Sequence, residues 1–259
     1  MLPGLIARPL RAAIVLLLLA LVGAGIWAWN QARSSTPVSE DAALEAFRRG
    51  AGAGTGEPAP GIPLPGVYTY RQSGSEKGGA GPVSISRDLP DRARYVVTRV
   101  PEGYAEELDI SQEHVEGLRL RVGAGGGSRA VSRRTEVEFL GFGRDDRRDL
   151  RPAPLHLPRD LRVGRSWSGR YTAGELPVSF RSRVLRREAV EIEGRRIDCV
   201  VVRTVGDTGG AHPGTRTDTR WWSPALALPL RWTIDMRIRG VATLDTHADL
   251  TLESLTPRT

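Results

Sequence analysis

The stretch LPLRWTIDMRIRGVATLDTHADLTLE, residues 228–253, decides the fold of this 259-residue chain. Apolar side chains occupy every second position of its first half: Leu230, Trp232, Ile234, Met236 and Ile238. Beyond the turn signal at Arg239-Gly240, the second half alternates in the same way from Leu244 to Leu252. One apolar and one polar face at period two predict two antiparallel strands, each with one face buried and one in water.

The same period-two pattern extends back from this stretch towards Val67. It is clear in Val178, Phe180, Ser182 and Val184, and it recurs with a slip near Gly117 in Val115, Leu118, Leu120 and Val122. Turn-forming segments separate the runs, and only residues 102–116 leave room for a helical turn or two. Residues 67–259 are therefore predicted to form a mainly β domain, a large curved antiparallel sheet of half-barrel or barrel-like form.

Such a sheet must cover its apolar face. It can close into a barrel, pack a helix into its concavity, or hold a hydrophobic guest, and the sequence offers little helix. Core and edge packing explains the aromatic residues of the strands. The alternative is a hydrophobic ligand site, for which the candidate residues are Trp167, Phe180, Trp221, Trp232, Ile234 and Met236. Because neighbours on a strand point to opposite faces, at most one of Trp221 and Trp222 is expected in the core.

Residues 12–29, AAIVLLLLALVGAGIWAW, form an uncharged run near the start of the chain. As a helix the run spans roughly 27 Å, close to the apolar core of a bilayer, which is about 30 Å thick. Arg8 and Arg11 precede it, so the positive-inside bias predicts a cytoplasmic tail over residues 1–11 and an extracytoplasmic C-terminal domain in a single-pass cell-membrane protein. A cleaved signal peptide, with Val22-Gly23-Ala24 as its cleavage site, is the alternative interpretation.

Residues 30–66 connect the span to the β domain. Ser39 can cap a short helix over EDAALEAFRR, which has acids in its first turn and Arg48 and Arg49 in its last. The following AGAGTGEPAPGIPLPG, residues 51–66, lacks the strand, helix and Lys-Ser/Thr pair of a phosphate loop. It is predicted to be a flexible linker.

The chain carries a net charge of +7, and the first 66 residues, with five Arg against four acids, account for +1 of it. Arginine is interleaved with acids, as in GRDDRRDLRP, so no nucleic-acid partner is expected. Four histidines without close pairing predict no metal site, and no catalytic motif or cofactor site is recognised, so an enzyme is not expected. Cys199, the single cysteine, is predicted to be an inert thiol in a buried strand.

Part of the chain resembles known envelope proteins. The matching segments, over about residues 160–240, are LRVGRSWSGRY, VLRREAVEIEGRRIDCVVVRT and TRWWSPALALPLRW, and the matching residues are Gly164, Trp167, Glu188, Val190, Gly194, Val200, Trp222, Ser223, Pro224, Pro229 and Arg231. They resemble uncharacterised secreted families with a curved sheet, distantly similar to the lipoprotein-localisation-factor carriers. The order of span, linker and GVYTYRQSG also resembles uncharacterised single-span actinobacterial envelope proteins. The resemblance implies an extracytoplasmic sheet able to hold acyl chains and transfers no catalytic residue.

Two functional hypotheses remain open. In the first, a membrane-tethered binding module accepts a lipid, another hydrophobic ligand or a lipidated protein on its concave face. In the second, the sheet is packed dry and acts as a non-catalytic envelope scaffold or assembly protein that docks a membrane partner. A connected cavity of several hundred cubic ångströms would favour the first, and a filled interior the second.

Overall fold

The computed structural model describes residues 35–50, 60–80, 83–139, 142–210, 212–240 and 242–259. The predicted tail and membrane span, and residues 51–59 of the predicted linker, lie outside this set. Across the described ranges, no helix has the length and apolar character needed to cross a membrane.

The described chain contains one helix followed by strands. The helix is α1 (Glu40–Gly50), and the strands are β1 (Gly66–Ala80), β2 (Val83–Asp88), β3 (Arg92–Val100), β4 (Gly103–Ser111), β5 (His114–Val122), β6 (Ser128–Phe139), β7 (Phe142–Arg151), β8 (Leu155–Leu157), β9 (Ser166–Ala173), β10 (Leu176–Ile192), β11 (Arg195–Thr208), β12 (Gly214–Ser223), β13 (Leu228–Ile238) and β14 (Ala242–Leu252). The suggestion of helical turns within residues 102–116 is wrong, because β4 and the start of β5 occupy them.

Twelve of the strands in the described ranges form a closed antiparallel ring. Its order is β1-β3-β4-β5-β6-β7-β9-β10-β11-β12-β13-β14, and β14 returns to pair with β1 from Tyr70↔Leu252 to Ala80↔Ala242. Strand β2 pairs only with β1, and β8 only with β6. The predicted curved sheet is thus a barrel, and closure removes the two edges that an open sheet would expose.

The alternation predicted for residues 228–253 is confirmed in burial. Leu230, Ile234 and Leu250 are fully buried, while Arg231 and Arg237 on the opposite face of β13 are exposed. Most inward-facing apolar residues form one core, and a second core joins Trp167, Val184, Val200, Val202 and Trp222. The Cys199 thiol is buried, and burial raises its pKa to about 11.

Helix α1 packs on the outside of the barrel over β1 and β3. Its buried residues Ala43 and Phe47 contact Val67 and Val96 on the outward faces of these strands. The predicted cap is present, since Ser39 Oγ accepts a hydrogen bond from the backbone N–H of Ala42 at 3.2 Å. At its length the helix is marginal alone, so the barrel wall supplies the apolar surface that keeps it folded.

Pairing around the ring is uneven. Strands β10 and β11 form a long hairpin whose register runs from Val178↔Thr208 to Ile192↔Arg195. Strands β7 and β9 pair only at Leu150↔Ala173 and Arg151↔Thr172. The β7–β9 junction is therefore the weakest seam of the described ring.

Candidate functional site

The barrel encloses a cavity of about 500 Å³, here called the interior cavity. It extends from the middle of the barrel to the end that carries the β11–β12 and β13–β14 turns. This volume falls within the range of roughly 300–1,000 Å³ that is typical of small-molecule sites. The side chains of the described residues therefore do not fill the interior of the barrel.

Apolar side chains line part of the interior cavity. Strand β10 supplies Val178 and Phe180, and strands β13 and β14 supply Met236 and Leu244. The register explains this, because each of these side chains lies on the inward face of its strand. Gly206 and Arg216 lie between Phe180 and Met236 in the register, so the apolar side chains form two patches, one on β10 and one on β13 and β14. Each patch can contact an aliphatic or aromatic group.

Ionised groups on β12 lie between the apolar residues of β10 and those of β13, and they contact a further ionised group on β5. Arg216 Nη1 donates to Glu116 Oε1 at 2.5 Å, and its Nε and Nη2 donate to the two carboxylate oxygens of Asp218 at 2.7 and 3.0 Å. The indole N–H of Trp232 donates to Asp218 Oδ1 at 2.8 Å. Burial disfavours the ionised carboxyl of Asp218, but the charge of Arg216 outweighs it and lowers its pKa. Arg216 is therefore fully committed to neighbours inside the protein.

The network continues through a buried histidine. His114 Nδ1 bonds to Glu76, whose other carboxylate oxygen accepts from Arg87 Nη2 at 2.8 Å, and His114 Nε2 lies 3.3 Å from Glu116 Oε1. Burial opposes a charged imidazole, yet the charge of Glu76 and the bond to Glu116 raise the pKa of His114 to about 9. Burial also opposes ionised Glu76, but His114 and Arg87 lower the pKa of Glu76 to about 2. At neutral pH both groups of the pair are charged.

Arg220 lines the cavity and differs from Arg216, because it forms no ion pair with any described residue. Its guanidinium carbon lies 3.9 Å from the ring centroid of Trp232, and its Nη1 lies 3.3 Å from Nε2 of His156. Burial and the charge of Arg220 lower the pKa of His156 to about 3, so the imidazole is neutral and can accept. The buried Nε of Arg220 has no hydrogen-bond partner.

The charge of Arg220 acts on two carboxyl groups, Asp218, which already pairs with Arg216, and Glu106. Burial raises the pKa of Glu106, although the charge of Arg220 and a hydrogen bond from the Tyr95 hydroxyl act in the opposite direction. Desolvation therefore favours the neutral acid at this position. A neutral Glu106 does not balance the charge of Arg220.

A second arginine without a carboxylate partner in the described chain is Arg133 on β6. Its Nη2 donates to Thr135 Oγ1 at 2.7 Å, and it also forms a hydrogen bond with Tyr171 across the cavity. Burial raises the pKa of Tyr171, so its phenol is neutral and can donate. Nearby Arg148 is paired with Asp146, with 2.5 Å between Nε and Oδ1.

The structure brings together three of the six predicted ligand residues: Phe180, Trp232 and Met236 line the interior cavity. Ile234 shares their strand face but is packed fully into the core. Trp167 points inward and packs in the second core instead of lining the cavity. The ligand-binding role of all these residues stays a prediction.

Trp221 lies on the opposite face of β12 from Arg220. Its ring has the guanidinium carbons of Arg231 and Arg186 at 4.7 and 5.9 Å from its centroid. Trp221 and Trp222 are both buried, contrary to the expectation that only one would be. Trp222 is buried in the second core, and the side chains of Arg231 and Arg186 lie over the ring of Trp221 on the other face.

The charged interior residues were missed from the sequence. Arg216, Asp218 and Arg220 alternate with threonines, so they predict a solvent-facing strand surface. In the structure they pair with Met236, Ile234 and Trp232, respectively, which places all three on the inner face of the barrel. The inward position of these residues depends on the pairing register of the strands, and a single sequence does not give that register.

A second cavity of about 560 Å³, the end cavity, lies at the other end of the barrel. Loop residues line much of it, including Gly61, Gly126, Arg159, Ala225 and Leu255. Its rim includes Pro60, which directly follows residues outside the described set. Within the described ranges, no three His, Cys, Asp or Glu side chains are grouped so that they could hold a metal ion.

No protein-family model matches the chain, and no curated protein sequence matches it. Among solved structures, the chain is similar to a hypothetical lipoprotein of Escherichia coli, YmcC. The similarity covers 73% of this chain and 85% of that protein, at 10% identity and a TM-score of 0.32. A likeness of this size carries no argument about function, so the resemblance to lipoprotein-localisation carriers stays a prediction.

Proposed function

We propose that the barrel is a binding module that takes a hydrophobic or amphipathic small molecule, such as a lipid, into its interior cavity. The observation that carries this proposal is the unfilled space of about 500 Å³ beside the apolar side chains of β10, β13 and β14. Protein cores are normally packed to crystal-like density, so a space of this size is maintained at the expense of stability. Binding of a ligand in this space would explain why the space is left unfilled.

A cavity-filling substitution tests the proposal. Gly206 faces inward on β11, and a Cβ there would meet Ser179 O at 3.4 Å and Phe180 Cβ at 3.7 Å, which leaves room for a side chain. We expect Gly206→Phe to place its ring in the interior cavity and to block binding. Val205, which directly precedes Gly206, is 40% exposed on the outer face, so Val205→Phe is the matched control.

The measurement is equilibrium dialysis of labelled decan-1-ol against the full chain in phosphatidylcholine nanodiscs, with empty nanodiscs subtracted. The wild-type chain and Val205→Phe should bind about one probe molecule per chain, and Gly206→Phe at least tenfold less. Equal uptake by all three proteins, or none by the wild type, would refute the binding module. The envelope scaffold would then be the better hypothesis.

The proposed place of action is the outer surface of the cell membrane. It is supported by the uncharged run 12–29 and the arginines before it, which favour an anchored chain with the barrel outside the cytoplasm. A ligand that partitions into the membrane would then be concentrated beside the barrel.

A further inference from the structure

The cations and anions inside the barrel do not balance. Among the described inward-facing side chains, Arg148 and Asp146 form one balanced pair. The remaining cations are Arg87, Arg99, Arg133, Arg216, Arg220 and charged His114, six in all. The ionised carboxylates that face them are Glu76, Glu116 and Asp218, three in all.

The excess positive charge is localised. Arg87, Arg216 and His114 each have a carboxylate at hydrogen-bond distance. Within the described ranges, Arg133 and Arg220 have only uncharged hydrogen-bond partners, and both line the interior cavity. Leaving a buried cation without an anion is costly, because its lost hydration is not replaced. Even with Glu106 ionised, the described interior would keep two cations more than it has anions.

We propose that the ligand of the interior cavity is an amphipathic anion, an acyl chain that ends in a carboxylate or phosphate. Its anionic group would lie against Arg220 and Arg133, and its chain along Phe180, Val178 and Met236. This inference rests on the proposed binding function and adds the chemical class of the ligand. Among the described residues, the guanidinium of Arg220 has no anionic partner and the neutral Tyr171 hydroxyl can donate, so both can bond to the anionic group.

Hydrogen bonds to a charged group contribute about 1.5–3 kcal/mol, or roughly tenfold or more in affinity. We therefore expect the wild-type chain to bind decanoate and decyl phosphate at least about tenfold more tightly than decan-1-ol, in the nanodisc dialysis assay at pH 7.5. The two anions differ only in their head, so their relative affinities distinguish a fatty-acid site from a phosphate-headed lipid site.

Three variants locate the anion site. Arg220→Gln should lose most of the preference for decanoate while it still binds decan-1-ol, which also shows that the barrel is folded. Arg133→Gln should lower the preference by a smaller factor, about threefold. The matched control is Arg203→Gln, since Arg203 is exposed on the outer face of β11 and its loss should change nothing.

Arg220→Lys covers the case in which Arg220→Gln does not fold, because it keeps the charge and should keep a preference for decanoate. Equal affinity of the wild-type chain for decanoate and decan-1-ol would overturn the anion inference but leave the binding module intact. So would a decanoate preference that survives in the double variant Arg133→Gln/Arg220→Gln. Failure of all probes to bind would refute the binding module itself.

Discussion

Inside the barrel, most charged residues have a neighbour whose hydrogen bonds and opposite charge replace the lost water. Arg216 shares two carboxylates, and one of them also accepts the indole N–H of Trp232. Both carboxylate oxygens of Asp218 and Oε1 of Glu116 therefore have donors, and paired charges of this kind are tolerated inside a protein. Arg220 has no paired anion among the described residues, and this contrast distinguishes a structural arginine from one that is available to a ligand.

His114 makes the stability of the protein depend on pH. Its folded pKa of about 9 lies above its ordinary value of 6.5, so its ion pairs contribute fully below pH 6.5 and are lost as pH rises through 9. The change from 6.5 to 9 corresponds to at most about 3 kcal/mol of unfolding free energy. Burial also raises the pKa of Asp109 to about 8, which lowers stability in the same direction but independently of His114.

We expect the free energy of unfolding to fall between pH 6.5 and 9 by more in the wild-type chain than in His114→Gln, because the variant keeps only the contribution of Asp109 and other groups. Urea unfolding of the full chain in nanodiscs, followed by tryptophan fluorescence, measures this. His247→Gln is the control, since His247 is half exposed beside Asp235 and its loss should change the slope little. Parallel curves for wild type and His114→Gln would contradict the prediction.

At the scale of elements, the strands could be predicted where one face is apolar. Local sequence predicts strands β10, β13 and β14 and the capped helix α1. In each of them the spacing of apolar residues shows which face is buried. Strand β4 was missed because its inward face carries Glu106 among apolar residues, which weakens the period-two pattern.

The pairing between strands could not be predicted from the sequence. Closure of the ring depends on β14 meeting β1, about 170 residues apart, and the cavity depends on which faces the register turns inward. For the candidate site, alternation alone selected Phe180, Trp232 and Met236 correctly as inward residues. It could not select Arg220, whose inward position depends on its partner Trp232.

The β7–β9 seam is the element pair that should open first. With register at Leu150↔Ala173 and Arg151↔Thr172 only, few backbone hydrogen bonds hold it, and regions of sparse pairing open at a low free energy. Paired strand residues have Cα atoms about 4.5–5.5 Å apart, within the range of roughly 4.4–6.8 Å that a disulfide spans. Arg151 and Thr172 are both exposed, so cysteines there would be accessible to oxidant.

We expect the double variant Arg151→Cys/Thr172→Cys, in a Cys199→Ser background, to slow amide hydrogen exchange in β7 and β9 when oxidised. A disulfide typically adds about 2–4 kcal/mol of stability, so the unfolding temperature should rise as well. The control staple Arg203→Cys/Thr219→Cys joins paired residues of β11 and β12 and should leave exchange at the seam unchanged. Equal exchange at the seam in oxidised and reduced protein would show that the seam is not the weak point.

For the whole molecule, both ends of the described domain meet at helix α1. Arg258 pairs with Glu40 at the start of the helix, and Val67 bridges Arg258 through backbone hydrogen bonds. The segment that follows the predicted span therefore docks beside the last residues of the chain, so a C-terminal fusion would lie near the point where the chain enters the barrel.

This arrangement gives a direct test of membrane topology. We expect alkaline phosphatase fused after Thr259 to be active in intact cells and green fluorescent protein at the same position to be dark, because the arginines before the apolar run favour retention of the N-terminus in the cytoplasm. The fusion should stay in the membrane fraction at the mass of the full chain, whereas a cleaved signal peptide would release a shorter product. Deletion of residues 12–29 is the matched control and should abolish phosphatase activity, since nothing would then export the domain. If the green fluorescent protein fusion were fluorescent and the phosphatase fusion inactive, the barrel would lie in the cytosol. The proposed place of action at the outer surface of the membrane would then be wrong.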